Sequence, residues 1–348
     1  MVRAPLLAGP IGGPRAAVSQ PIVISIDAMG GDYGPSIVAA GIALALERLP
    51  GGDVRFLLHG DRAQIEPELV KFPAARAASE VRQADLVIGM QDKPAQAALS
   101  AGNTGALMAI SKLILRMVSA ELDRPAIVAS WPTLRGVTAV LDVGANVTSD
   151  AAQLVQFAIM GQAFFRAVHG ASRPTVGLLN VGSEDQKGHE EVREANRLLR
   201  EGGLDIEYHG FVEGDDIAKG TVDVVVTDGF SGNIALKTAE GVARFVRSLM
   251  RDTFTSGLRG KLAALIAGPA LRRMLARLDP SSVNGGPFLG LNGIVVKSHG
   301  GADAKGFANA IVIAANLARS DYSTEIDRNM RRLADAISQL DAPAEPHT

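Results

Sequence analysis

The chain contains no cysteine. Disulfides, thiolate zinc sites, iron–sulfur clusters and a cysteine nucleophile are therefore excluded, and the composition suits the cytoplasm. It also lacks any apolar run near the roughly 18 to 20 residues that a spanning helix requires, so no bilayer-crossing helix is expected. Neither sign of charge dominates, with 35 Lys and Arg against 37 Asp and Glu. The formal net charge of −2 excludes a globally basic nucleic-acid binder while leaving room for a local basic patch. Two nucleotide fingerprints are absent, since the sequence holds neither a Gly-x-Gly-x-x-Gly run nor a Walker lysine motif. Internal repeats and low-complexity linkers are not found either. One α/β domain over residues 21–340 is thus expected, with the Pro- and Gly-rich first twenty residues and residues 341–348 as loose tails.

What is present is an ordinary globular composition, 47% hydrophobic and 21% charged, enough to bury a large core. Short apolar, β-branched runs at Ile22–Ile26, Val54–His59, Leu86–Met90, Ala126–Ala129, Val137–Val143, Thr175–Asn180, Val222–Thr227 and Ile294–Lys297 read as strands. Between them, helical periodicity covers Ser36–Leu49, Ala106–Val118, Asp150–Val168, Glu190–Arg200, Asn233–Met250 and Ala304–Ala318. This alternation predicts an α/β fold with a mainly parallel sheet.

The polar chemistry gathers at the strand exits, in "DAMGGDYGP", "DVGANVTSD", "NVGSEDQKGHEE", "TDGFSGN" and "KSHGGAD". Ligands of open α/β sheets bind beyond the carboxyl ends of the strands, so these loops are expected to form one functional rim. Each leads into a helix whose first N–H groups attract negative charge. Asn103 and Thr104, Ser149 and Asp150, and Ser231 and Asn233 are equally suited to be plain helix caps. Lys187, Lys237, Lys297 and His299 add donors suited to a phosphate or a developing oxyanion. Asp27, Asp32, Asp142, Asp228 and Asp303 are expected to brace glycine-rich turns rather than to bind magnesium.

The segments "IDAMGGDYGP", "VIGMQDKPAQA", "SAGNTGALMA", "LDVGANV", "VGLLNVGSEDQKG", "DVVVTDGFSGNIALKTAEG" and "GLNGIVVKSHGGADAKGFANAI" together resemble the phosphate acyltransferase PlsX family, in order, from about Ile22 to Ala318. The resemblance implies transfer of a long-chain fatty acyl group from acyl carrier protein to inorganic phosphate, giving acyl phosphate for phospholipid synthesis. It implies no cofactor and no metal, a homodimer, and a three-layer α/β/α fold similar to isocitrate and isopropylmalate dehydrogenases and to phosphotransacetylases. Phosphate itself attacks the thioester in this picture, so the enzyme's task is positioning and charge stabilisation.

By the same resemblance, Lys187 of the Glu-x-x-Lys-Gly loop and Asn233 of the Gly-Phe-x-Gly-Asn turn are the catalytic pair. Gly30, Gly31, Asp32, Asn103, Thr104, Asn146, Gly232, Lys297 and His299 match loops expected to contact substrate. One departure stands out. Only Ala95 to Leu99 separate "DKP" from "SAGNTG", where the family supplies a helix and a strand. A parallel crossover needs about a dozen residues, so the Gly102–Gly105 loop is expected to lack its own preceding strand.

From Arg244 to Leu278 the sequence turns basic, with Asp252 its only acid. Leu258, Leu262, Leu265 and Ile266 fall on one helical face, and Leu271, Met274, Leu275 and Leu278 form another after the Gly268-Pro269 break. A protruding helical hairpin over residues 244–280 is expected, with Arg259, Lys261, Arg272, Arg273 and Arg277 on its polar side. Such an arm suits an anionic membrane, an acidic partner or a subunit interface. The resemblance implies peripheral contact with the inner face of the cell membrane, acyl carrier protein as the acidic partner, and a downstream glycerol-3-phosphate acyltransferase. Two other readings stay open: a membrane-surface scaffold that lost its active edge, and an NAD- and metal-dependent dehydrogenase.

Overall fold

The computed structural model describes residues 21–49, 52–84, 95–277 and 280–340. The first elements are β1 (Ile22–Asp27), α1 (Pro35–Arg48), β2 (Val54–Gly60), α2 (Arg62–Val70), α3 (Pro73–Ala78), β3 (Ser79–Gln83), β4 (Ala97–Ser100) and α4 (Thr104–Leu115). Next come β5 (Ala126–Thr133), β6 (Gly136–Leu141), α5 (Ala151–His169), β7 (Thr175–Leu179), α6 (Glu190–Glu201), β8 (Glu207–Val212), α7 (Gly214–Lys219) and β9 (Val224–Val226). The chain ends on α8 (Gly229–Thr255), α9 (Gly257–Arg277), β10 (Gly286–Leu289), β11 (Ile294–Lys297), α10 (Ala304–Arg319) and α11 (Tyr322–Leu340).

The strands form one sheet in the order β3-β2-β1-β4-β11-β10-β5-β6-β9-β7-β8, sandwiched between helices in a three-layer α/β/α architecture. Alternation explains β1, where Ile22, Ile24 and Ile26 are buried and Val23 and Ser25 only partly covered. The all-valine β9 is buried throughout, as a strand covered on both faces must be. Helix α5 buries residues all around its circumference because it lies among the sheet, α6, α10 and α11. One apolar cluster runs from Ile22 to Leu333 through both halves of the sheet.

Three expectations are corrected. First, β4 does precede the Gly102–Gly105 loop, lying parallel between β1 and β11. The strand expected at Leu86–Met90 lies outside the described residues; β3 ends at Gln83, and residues 84–96 supply the length that a crossover requires. Second, the exits do not share one end of the sheet. Strands β1, β2, β3, β4 and β11 run in one sense, but β10 is antiparallel to β11 and to β5, and β5 is antiparallel to β6. Hence β6, β9, β7 and β8, mutually parallel, run opposite to β1 in the ladder. Third, the arm turns at Ser256 and Gly257 (φ 63), not at Gly268-Pro269, and α9 continues through Pro269. Glycine supplies the left-handed conformation that this corner demands.

Candidate functional site: two clusters of strand exits

The first cluster joins the exits of β1, β4 and β11. Asp27 Oδ1 accepts the N–H groups of Met29 (3.1 Å) and Gly30 (3.0 Å), while Oδ2 accepts the Ser100 hydroxyl at 2.8 Å. Ser100 Oγ in turn accepts the Gly102 N–H at 2.9 Å. A side chain at Gly30 would strike Asp27 and the Gly102 nitrogen, and one at Gly31 (φ 87) would meet the Gly300 carbonyl. Backbone contact therefore requires glycine at both places. Asp32 N–H donates to Gly300 O at 2.9 Å, closing the β1 exit onto the β11 exit.

Lys297 is half-buried, and its Nζ donates to Ala101 O (3.2 Å) and to Ser298 O. Burial pushes its pKa down, opposed by the nearby Asp32 carboxylate. His299 is exposed; its backbone N–H donates to Asn284 Oδ1 at 3.0 Å, and its Nδ1 accepts the Gly301 N–H at 3.1 Å. A neutral ring in this setting carries its proton on Nε2, as an outward donor. Asn103 caps α4 by accepting the Ala106 N–H at 2.9 Å, and Thr104 opens that helix. A small cleft of about 10 Å³ lies between the β1 and β11 exits, lined by Tyr33, Ile37, Ala101, His299, Ala302 and Phe307 among others.

The second cluster joins the exits of β6, β9 and β7. At its base Asp142, fully buried, receives five hydrogen bonds. Oδ1 accepts from the N–H groups of Ile127 (3.0 Å), Gly144 (3.2 Å) and Ala145 (3.0 Å). Oδ2 accepts from Asn146 N–H (2.6 Å) and Asn146 Nδ2 (3.0 Å). Burial raises the pKa of this carboxyl, and the hydrogen bonds from Ala145, Ile127 and Asn146 oppose the rise. Asn146 corrects a sequence expectation: it is buried and its amide is spent inward, on Asp142 and on Pro125 O (2.9 Å), rather than offered to substrate.

Helix α8 rests on this loop through two buried glycines. A Cβ on Gly229 would run into Asn146 O and Asp142 Oδ2, and one on Gly232 into Asp142 O. One turn on, the exposed Asn233 side chain stands against Gly144, with a Cβ position there 3.6 Å from it. Strand β9, which leads into α8, lies between β6 and β7, so the β7 exit borders the β9 exit in the sheet. That exit carries Lys187, whose Nζ pairs with Glu184 at 2.9 Å, with the two side chains 52% and 61% exposed. The hydrogen bond from Lys187 holds the Glu184 carboxyl below the usual range. Asn180 shapes the loop, donating to Lys187 O at 3.0 Å and accepting the Val181 N–H at 2.9 Å.

Asp27, Asp142, Asp228 and Asp303 brace turns, as their residue type predicts. Asp228 caps α8 through the Ser231 N–H (2.9 Å), Asp303 caps α10 through Gly306 (2.8 Å), and Asp150 forms a capping box with Gln153. Ser231 and Asn233 therefore lie within α8 rather than at its cap. These aspartates take N–H groups that an incoming anion would otherwise use. Side-chain donors must carry more of the task than a bare helix terminus. Among the described residues, no three His, Asp or Glu side chains converge as a metal site would require. Lys237 pairs with Glu240 on the surface at 3.1 Å.

Asn284 carried no signal in the sequence, yet it links Ser298 Oγ, Gly306 O and the His299 backbone. Only the fold brings its segment, "SSVNGG", under the β11 exit. Along α8 and α9, Phe230, Ile234, Val242, Phe245 and Leu249 and then Leu262, Leu265 and Ile266 are exposed apolar side chains, and Arg259 and Lys261 are exposed. The side-chain expectations for Leu258, Arg272, Arg273 and Arg277 lie outside the described residues. No helix among the described residues is long and apolar enough to cross a membrane.

The chain matches the family described as fatty acid synthesis protein over residues 22–98 and 90–325. It is 68% identical over 339 residues to the phosphate acyltransferase of Caulobacter vibrioides, covering 91% of this chain and 93% of that protein. The phosphate acyltransferase of Phenylobacterium zucineum is 57% identical over 352 residues, covering 94% of this chain and 98% of that protein. Among solved structures, a phosphotransacetylase from Streptococcus pyogenes aligns with a TM-score of 0.59 at 14% identity, over 86% of this chain and 94% of that one. A phosphotransacetylase from Staphylococcus aureus aligns at 0.54 with 13% identity, over 86% and 94% of the two chains. These two show a shared fold.

Proposed function

We propose a function from one premise: this chain belongs to the fatty acid synthesis protein family and is an acyltransferase of the phosphate acyltransferase type. The finer reading is that it moves a long-chain acyl group from acyl carrier protein to inorganic phosphate. A phosphate oxygen attacks the thioester carbonyl carbon and a C–O bond forms. The resulting oxyanion collapses, the C–S bond breaks, and the departing thiolate takes a proton from water. No enzyme nucleophile is needed, which fits a chain without cysteine.

The observation that carries this reading is the start of α8, seated on the buried Asp142 loop with Asn233 against Gly144, and following a strand that lies between β6 and β7. Asn233 Nδ2 and Lys187 Nζ are the donors assigned to the phosphate and the oxyanion. The two differ in kind. Asn233 is held on a rigid turn, whereas Lys187 is an exposed ammonium that must exchange Glu184 for phosphate. Its exposed partner makes that exchange inexpensive.

The first cluster then serves the rest of the substrate, through the Gly30–Gly31 backbone, Asp32, Asn103, Thr104, Lys297 and His299. Opposite strand senses do not forbid a shared cleft. Sheet twist of about 20–25° per strand, accumulated over the six steps from β1 to β9, turns the β9 exit by roughly 120–150°. That rotation brings an oppositely directed strand end back toward the side of the β1 exit.

Homodimerisation, contact with anionic membrane at its cytoplasmic face, carrier docking and delivery to a glycerol-3-phosphate acyltransferase complete the proposal. The exposed apolar and basic residues of α8 and α9 support a peripheral surface role. The scaffold reading loses its motive, because β4 stands before its loop. The test is thiol release from a long-chain acyl-carrier thioester, with and without phosphate, for wild type, Lys187→Ala and Asn233→Ala. Release that ignores phosphate, or two fully active variants, would overturn the reading.

A further inference from the structure

We propose that Asp142 is the positioning residue of this site: its carboxylate fixes the floor under the first turn of α8 and thereby aims Asn233. The inference rests on the role given to Asn233 above. Asp142 is 0% exposed, so it touches neither phosphate nor thioester and acts only through its neighbours.

The geometry is one of complete acceptance. All five groups facing the carboxylate are donors, drawn from the start of β5 (Ile127), the β6 exit backbone (Gly144, Ala145, Asn146) and the Asn146 amide. An ionised carboxylate satisfies every one of them, whereas a carboxyl proton would point at a donor. Further hydrogen bonds pin the same residue by its main chain: Asp142 N–H donates to Thr227 O at 3.0 Å, and Thr227 N–H donates to Leu141 O at 2.7 Å. Asp142 therefore joins β5, β6 and β9 at one point. From that point its carbonyl oxygen lies beneath Gly232 and its Oδ2 beneath Gly229, with no room for even a methyl group between loop and helix. Any displacement of Asp142 passes directly into the turn that carries Asn233.

Replacing the carboxylate by an amide sets an NH2 against either the three donors on Oδ1 or the two on Oδ2, so Asp142→Asn must open either the Ile127–Ala145 side or the Asn146 side. A misplacement of about 1 Å costs on the order of a hundredfold in rate. We expect Asp142→Asn, still folded at the assay temperature, to lose about a hundredfold in kcat while KM for phosphate stays within about threefold. Because the loss acts through Asn233, adding Asn233→Ala should reduce kcat by less than about threefold below Asn233→Ala alone. A residue that merely supported the fold would lower the melting temperature and give losses that multiply.

Should Asp142→Asn fail to fold, Asn146→Ala removes one donor from the same carboxylate and is read in the same way, with an expected loss of about tenfold. A folded Asp142→Asn enzyme within threefold of wild type, or losses that multiply with Asn233→Ala, overturns the positioning role. An Asn233→Ala enzyme of wild-type activity overturns the reading of Asn233 itself, and the two failures are thereby distinguished.

Discussion

Replacing Gly232 by alanine tests the contact between α8 and its floor in a single atom. The new Cβ would fall more than ~1 Å inside van der Waals distance of Asp142 O, and would also lie 2.9 Å from Thr227 Cγ2 and 3.0 Å from the Asp142 carbonyl carbon. Neither neighbour can yield, since Asp142 is held by five hydrogen bonds and Thr227 is buried in the β6–β9 ladder. The helix must rise instead. Overpacking of this kind costs about 1–3 kcal/mol of stability, and lifting Asn233 by about 1 Å costs about a hundredfold in kcat. Gly241→Ala, nine residues further along the same helix, is the matched control. A Cβ there meets nothing within 4 Å, so the change should stabilise α8 by about 0.5–1 kcal/mol and leave kcat as it was. Phosphate-dependent thiol release and thermal unfolding of both variants decide the matter. Wild-type kcat in Gly232→Ala, or an equal loss in Gly241→Ala, refutes the reasoning.

Three further outcomes are expected. Lys187→Ala should lose phosphate-dependent turnover with no change in melting temperature, because its ion pair with Glu184 is solvent-exposed; a clear fall in stability would contradict the geometry. His169, packed 4.5 Å centroid to centroid from Phe165, has its pKa lowered by burial from 6.5 to about 4, with Asp223 opposing. Unfolded chains therefore bind the extra proton first, and stability that is complete above pH 6.5 falls as pH drops toward 4. Urea melts should show about 2–3 kcal/mol less stability at pH 4.5 than at pH 7 from this group, a difference that His169→Phe removes. Finally, Arg272→Glu with Arg273→Glu should abolish flotation with anionic vesicles and leave turnover of a soluble thioester unchanged.

Much of the fold was legible because buried strands announce themselves: "IVISID", "VRFLLHG" and "VVV" need no partner to be recognised. The strands missed were those whose identity depends on neighbours. β3, "SEVRQ", is polar and sits at the sheet edge; β4, "AALS", is four residues long and is a strand only because β1 and β11 pair with it. β10 holds Pro287, which speaks against an interior strand until its short, split pairing is seen: Gly286 and Pro287 face β11, Phe288 and Leu289 face β5. The sheet's sense reverses one step further on, at the tight hairpin between β5 and β6. Strands read as mainly parallel conceal that reversal, so the exits read as one rim divide into two clusters. Within the site, the turn-bracing aspartates followed from residue type, but the inward-facing Asn146 and the linking Asn284 did not. Both choices are made by tertiary hydrogen bonds that no spacing reveals.

The place of β11 has a consequence for how the chain is made. Ile294 pairs with Ala97, about 200 residues earlier, and this late strand lies between β4 and β10 in the interior of the sheet. At a translation rate of about 5–20 residues per second, β4 leaves the ribosome roughly 10–40 s before its neighbour exists. Throughout that interval its hydrogen-bonding edge is open to wrong partners, and the nascent protein is a client for chaperones rather than a half-built enzyme. A premature stop codon just ahead of Ile294 would not trim a terminus. It would take out an interior strand and leave two half-sheets with nothing to join them.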